Sequence, residues 1–260
     1  MAMTTIEQPT DPKRQLASTQ RELTAKIEPF DSFWEGPEDV EKGYASFFQF
    51  YKCNYLKSLP ANKDVQILVI SCGPGYFVNL LSQEGYRNVL GIDSDPDKVN
   101  YARRRNLNCR AERAFAHLED KKDYYDVIFC EQELNHLTKE EILVFLRLCR
   151  NAIKQNGTLI VHGLNGANPI TGAEALAQNF DHYNTFTEYT LRQVLKHSQF
   201  SDIKLLPLNL YVFYKNPLNY ILIVLDKLYS LFFTFSFMLY GKANRVWTKK
   251  IAASCRKRTL

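Results

Sequence analysis

The chain of 260 residues holds six cysteines and no C-x-x-C pair, so no zinc knuckle and no dithiol redox motif is spelled out. Cys53, Cys72, Cys109, Cys130, Cys149 and Cys255 are scattered through expected strands and helices, which reads as reduced core thiols in a cytoplasmic protein. The first thirty residues contain no apolar run of the kind a cleaved secretory signal needs. Net charge is also scarce. At +5 overall it is modest, and no nucleic-acid partner is expected, although seven Lys or Arg and no acid follow from Lys242 onward. That asymmetry suits either an anionic surface or a solvated basic tail. A hydrophobic content of 45% over this length is enough for one substantial α/β domain.

The most informative stretch is Val65-Gln-Ile-Leu-Val-Ile-Ser-Cys-Gly-Pro-Gly-Tyr-Phe77. Its apolar run predicts a strand buried on both faces. Gly73 and Gly75 then permit a sharp turn with room for a ligand, and Phe77, Leu80 and Leu81 give helical spacing up to a terminator at Gly85. Asp93 ends the next apolar strand, 18 residues past Gly75, where nucleotide-binding folds place an acid that accepts hydrogen bonds from ribose hydroxyls. A dinucleotide fingerprint would carry a third glycine at position 78, and Val78 stands there, which disfavours hydride chemistry on NAD.

In chain order, residues 1–28 read as a polar, flexible arm, 29–217 and 243–260 as the domain, and 218–242 as an apolar insertion. Tyr44, Phe47, Phe48, Tyr51 and Tyr55 recur at helical spacing up to Pro60, forming a stripe that packs against the sheet or roofs the ligand pocket. Helices are expected over Lys98–Arg105, from the capping box at Thr138 to a stop at Gly157, and over Thr187–His197. Strands are expected at Asn108–Glu112, Tyr125–Cys130, Thr158–His162, Ile203–Tyr214 and Val246–Cys255, with no clear pattern over Glu174–Asp181. Strand and helix alternate, which predicts a mostly parallel, seven-stranded Rossmann-like sheet with helices on both faces.

Leu218–Tyr240 has 17 apolar residues in 23, long enough to suggest a membrane span. Asp226 and Lys227 near its middle would each cost about 2.5 to 3.5 kcal/mol at the bilayer centre. A helix lying in the interface, with Phe232, Phe233, Phe235 and Phe237 inserted and the basic residues to 258 on anionic lipid, fits better. The other reading is a subunit interface, homo- or hetero-oligomeric, or a lid on the domain.

Cys72-Gly-Pro-Gly75 and Gly91-Ile-Asp-Ser-Asp95 resemble the first two motifs of class I S-adenosylmethionine (SAM) methyltransferases. The order of Tyr55-Leu-Lys-Ser-Leu-Pro60, Asn135-His-Leu-Thr-Lys-Glu-Glu-Ile142, Leu164-Asn-Gly-Ala-Asn-Pro169, His182–Thr187 and Trp247-Thr-Lys-Lys-Ile-Ala is similar to that of methyltransferases from bacterial surface-polysaccharide clusters. The resemblance implies methyl transfer from SAM to a sugar hydroxyl on a glycan or lipid-linked glycan at the inner face of the cell membrane. It implies a cofactor site of Ser71, Cys72, Gly73, Gly75, Tyr76, Phe77, Asp93, Ser94, Glu112 and Gln132, with no metal. His136 and His182 stand where these enzymes carry histidine, and either suits the base that deprotonates a hydroxyl. The chain departs from the pattern at Val69, where an acid is usual, at Ser71, where glycine is usual, and at Gln132 and Asn135, where acids are usual. Those changes leave two accounts open: an enzyme that binds its cofactor through neutral groups, or a catalytically inactive relative that acts as a binding partner at the membrane. The sequence contains none of the Pro-Pro-Tyr or Pro-Cys motifs of base methylation.

Overall fold

The computed structural model describes residues 37–131, 133–177, 182–209 and 217–257. The expected arm at 1–28, the aromatic stretch Phe30–Gly36, and Gln132 lie outside them. Helix α1 (Pro37–Tyr55) leads through a short 3-10 turn to β1 (Gln66–Ile70), α2 (Tyr76–Gln83), β2 (Asn88–Asp93), α3 (Pro96–Arg104), β3 (Cys109–Ala111), α4 (Ala114–Glu119) and β4 (Tyr125–Glu131). Then come α5 (Lys139–Ala152), β5 (Ile153–Leu164), α6 (Gly172–Ala177), α7 (Glu188–His197), β6 (Phe200–Pro207), α8 (Leu218–Leu239) and β7 (Lys250–Lys257).

The strands form one sheet in the order β3-β2-β1-β4-β5-β7-β6. β1 through β5 pair in parallel, and β7 runs antiparallel to both neighbours. The sheet is therefore mixed, its outer part closed by a hairpin. The apolar side chains of each strand alternate between two buried layers. One packs Leu68, Ile70, Ile128 and Cys130 against α5, and the other packs Ile67, Val69, Val127, Phe129 and Ile160 beneath α1 and α2.

Several boundaries differ from the sequence expectation: β5 starts at Ile153 rather than Thr158, and β6 runs Phe200–Pro207 where Ile203–Tyr214 was expected. Gly157 does not stop α5, which ends at Ala152 where Ile153 turns extended. Gly157 sits within β5 because a Cβ there would stand 2.6 Å from Ile153 Cγ2 and 3.0 Å from the Asp126 carbonyl oxygen. The last strand begins at Lys250, not Val246, because Glu188 of α7 takes the Arg245 and Val246 amides and Trp247 turns its ring to α8. Thr138 does form the expected capping box with Glu141, and residues 174–177 of the patternless stretch belong to the helix Gly172–Ala177.

α8 leaves most of its apolar side chains exposed. Ile223, Asp226, Ser230, Phe233, Thr234, Ser236 and Phe237 are half-buried, and of these Phe233, Thr234 and Phe237 meet Trp247. Leu231, Phe232, Phe235 and Met238 face outward at 69, 61, 63 and 64% exposure. Trp247 holds the helix: its indole N–H donates to Thr234 Oγ1 at 2.7 Å and its ring meets Phe237 at 4.4 Å. Phe233 and Phe237 are thus turned to the domain, and of the four phenylalanines expected to insert into lipid only Phe232 and Phe235 point away.

Candidate functional site

β1 ends in a left-handed bend. Ser71 has φ 56°, Gly73 φ 52° and Gly75 φ 82°, so the chain reverses direction above the carboxyl edge of the sheet before α2 begins. Gly75 is required twice over, because a Cβ there would lie 3.0 Å from Ala102 Cβ and 3.0 Å from Leu107 Cδ1. At Ser71 no glycine relieves the same conformation, and its hydroxyl is instead tied to the Glu133 carboxylate. The Cys72 amide donates to Ile92 O at 3.0 Å, fixing the bend to β2.

Asp93 closes the arrangement. Its Oδ2 accepts from the Gly73 amide at 2.8 Å and its Oδ1 from the Asp95 amide at 2.9 Å. Burial pushes its pKa up, and those two amides pull the other way. Each oxygen retains a lone pair for a ligand hydroxyl, so the carboxylate is oriented before any ligand arrives. Ser94, half-buried, bridges Asp93 to the Asp95 cap of α3.

The aromatic helix roofs this edge and is packed against it. Tyr44 donates to Pro74 O at 2.5 Å, Tyr76 donates to Val40 O at 3.1 Å, and Tyr51 donates to Glu131. Arg105 pairs with Glu41 and lies 3.9 Å over the Tyr44 ring. Tyr76 and Phe77 are both buried in this packing: Tyr76 stacks on Phe47 at 4.8 Å, and Phe77 meets Tyr51 at 4.9 Å and Phe129 at 4.3 Å.

Past β3, Glu112 sits 3.0 Å from His117 Nδ1, and the other nitrogen of that buried ring is 2.6 Å from the Tyr125 hydroxyl. Asn135 is fully buried and committed to scaffolding: its Nδ2 donates to Asn184 O at 2.5 Å and its Oδ1 accepts from the Leu164 amide at 3.3 Å. It thereby fastens the segment carrying His182 to the end of β5. His136 and His182 come together, with rings 4.9 Å apart. Nδ1 of His182 lies 2.8 Å from Ala175 O. A carbonyl can only accept, so Nδ1 carries the proton and Nε2 is the basic nitrogen.

Three further residues at this edge were not singled out by the sequence, and they join Tyr51 of the expected aromatic stripe. Glu131 ends β4, pairs in register with His162 of β5, and lies near Lys250 at the start of β7. Burial pushes Glu131 up, Lys250 down and His162 well down, so the imidazole is neutral at physiological pH. Tyr51 completes the group from above. The signal was available as an acid and a histidine, each near the carboxyl end of an apolar strand.

Residues 67–157 match the family model of a methyltransferase domain. The match spans 91 of the 260 residues. It contains β1 to α5 and the first part of β5, and so the whole bend and Asp93. No curated relative matches the chain. Among solved structures, a SAM-dependent methyltransferase from Archaeoglobus fulgidus superposes with a TM-score of 0.62 at 18% identity, covering 86% of this chain and 100% of that one. One from Mesorhizobium loti gives 0.54 at 15%, covering 77% and 94%. Haemonchus contortus phosphoethanolamine N-methyltransferase 2, solved with S-adenosylhomocysteine, gives 0.56 at 14%, covering 86% and 58%. S-adenosylmethionine is the cofactor that a domain of this kind implies, and the pre-oriented Asp93 carboxylate beside the open glycine bend fits it.

Proposed function

We propose that the methyltransferase domain methylates a sugar hydroxyl of a glycan or lipid-linked glycan, and works against the inner face of a membrane. The observation that carries the cofactor half of this reading is the clamp between Asp93 and Gly73, which orients a carboxylate for ribose hydroxyls at the glycine bend. S-adenosylmethionine supplies an electrophilic methyl group when bound. The protein's part is to hold the ribose through Asp93, to keep the bend open at Gly73 and Gly75, and to remove a proton from the acceptor. The His136–His182 pair supports that last step, since His182 Nε2 is the proton-accepting nitrogen and a hydroxyl needs a base at neutral pH. The exposed apolar side chains of α8 support the membrane half. Its exposed Leu and Phe suit the acyl boundary, and the basic residues after Lys242 suit anionic headgroups.

Calorimetric titration with SAM and S-adenosylhomocysteine tests the first half: micromolar binding is expected, and Asp93→Ala abolishes it. A folded protein that binds neither ligand would sink the enzymatic reading in favour of a non-catalytic partner of the same fold. Flotation with phosphatidylglycerol vesicles tests the second half. The protein floats with the lipid, and a Leu231→Glu, Phe235→Glu double variant stays at the bottom; equal behaviour of the two removes the membrane role.

A further inference from the structure

Glu131 is the last residue of β4 and shares a face with Val127 and Phe129, the layer covered by α1. Val69 lies on the same face, opposite Phe129 on the neighbouring strand, and brings no charge. Glu131 therefore supplies a carboxylate on this side of the carboxyl edge, two residues further along and one strand over.

Its two oxygens are unequally served. Oε2 accepts from the Tyr51 hydroxyl. Oε1 faces His162 Nδ1 at 3.6 Å, which is too long for a hydrogen bond. Both nitrogens of that ring are buried with no hydrogen-bond partner among the described residues, and the ring, being neutral, offers no countercharge. The carboxylate is only 17% exposed, so water compensates it poorly. Buried Lys250 attracts the carboxylate from beyond ion-pair distance but hydrogen-bonds neither oxygen, so Oε1 stays open to a cation that brings its own N–H donors.

The cofactor implied by the domain has such a cation. Its ribose and its α-ammonium lie at opposite ends of a short thioether-type chain. Asp93 on β2 and Glu131 on β4 are separated by one intervening strand, β1, which is about 10 Å at the usual strand spacing and within reach of a nucleoside carrying an amino-acid tail. We infer that Glu131 binds the α-ammonium of the cofactor, and that Tyr51 is the positioning residue that holds the carboxylate for it. This rests on the SAM reading above.

The test compares two ligands that share adenosine and a thioether. S-adenosylhomocysteine has the ammonium and 5′-methylthioadenosine lacks it. By calorimetry, Glu131→Gln weakens S-adenosylhomocysteine binding about tenfold or more, the scale of one charged hydrogen bond, and leaves methylthioadenosine binding unchanged. Loss of neither, or equal loss of both by a folded variant, overturns the inference. Should the variant fail to fold, Tyr51→Phe decides: it removes the hydroxyl that holds the carboxylate, so it weakens S-adenosylhomocysteine binding and leaves methylthioadenosine binding unchanged, and an equal effect on both ligands refutes the inference. A wild-type protein that binds neither ligand removes the SAM reading itself, an outcome distinct from all of these.

Discussion

Ser71 holds a left-handed conformation, φ 56°, at a position where glycine would be unstrained, and two substitutions separate what its backbone costs from what its hydroxyl contributes. Left-handed backbone costs an L-residue about 1 to 2 kcal/mol, and glycine's greater freedom in the unfolded chain offsets about 0.4 to 1 of that. The hydroxyl's bond to the Glu133 carboxylate belongs to a class that contributes about 1.5 to 3 kcal/mol. Ser71→Ala keeps the strain and loses the bond, so it destabilises by about 1.5 to 3 kcal/mol. Ser71→Gly loses the same bond but sheds the strain, so it is more stable than the alanine variant by about 0.5 to 1 kcal/mol. For a chain of this size the gap between the two corresponds to a difference in Tm of about 1 to 4 °C. Urea melts of the two variants read the gap directly. An alanine variant as stable as the glycine variant refutes the claim that the bend stores backbone strain at Ser71, and a glycine variant as stable as wild type refutes the contribution assigned to the Glu133 bond.

Trp247→Ala removes the brace of α8 and costs about 3 to 5 kcal/mol, seen in thermal melts. Increased protease sensitivity should be confined to the α8 connection, and general sensitivity would mean that Trp247 supports the sheet itself. The pH dependence of stability separates wild type from Glu131→Gln. Burial raises the folded pKa of Glu131 above its ordinary 4.5, so folding takes up a proton between those values. Wild type therefore gains stability relative to the glutamine variant as pH falls through that window, and a constant difference in urea melts between neutral and mildly acidic pH would contradict the burial effect.

What the sequence made legible was what neighbouring residues decide among themselves. The buried strand of Ile67–Ile70, the bend at Gly73 and Gly75, and the capping box at Thr138 are each written within a few residues, and each is present. Gly157 was misread because a glycine after an amphipathic stretch signals a helix stop and a close backbone approach equally well, and only the position of the Asp126 carbonyl on the next strand separates them. The Tyr51–Glu131–His162 group stayed hidden for a related reason. Its members are 80 and 31 positions apart along the chain, and strand register joins the last two. Asn135 read as a ligand-binding amide, and its hydrogen bonds to Asn184 and Leu164 became visible only with the fold.

α8 interrupts the connection between the edge strand β6 and its neighbour β7, far along the sheet from the glycine bend. The entropy of closing a connection rises only slowly with its length, so an insertion there burdens the hairpin little, and β5, β7 and β6 keep their register around it. The helix is therefore modular with respect to the chemistry. A different helix spliced at the same point would leave the Asp93 bend and the pairing of the sheet as they are.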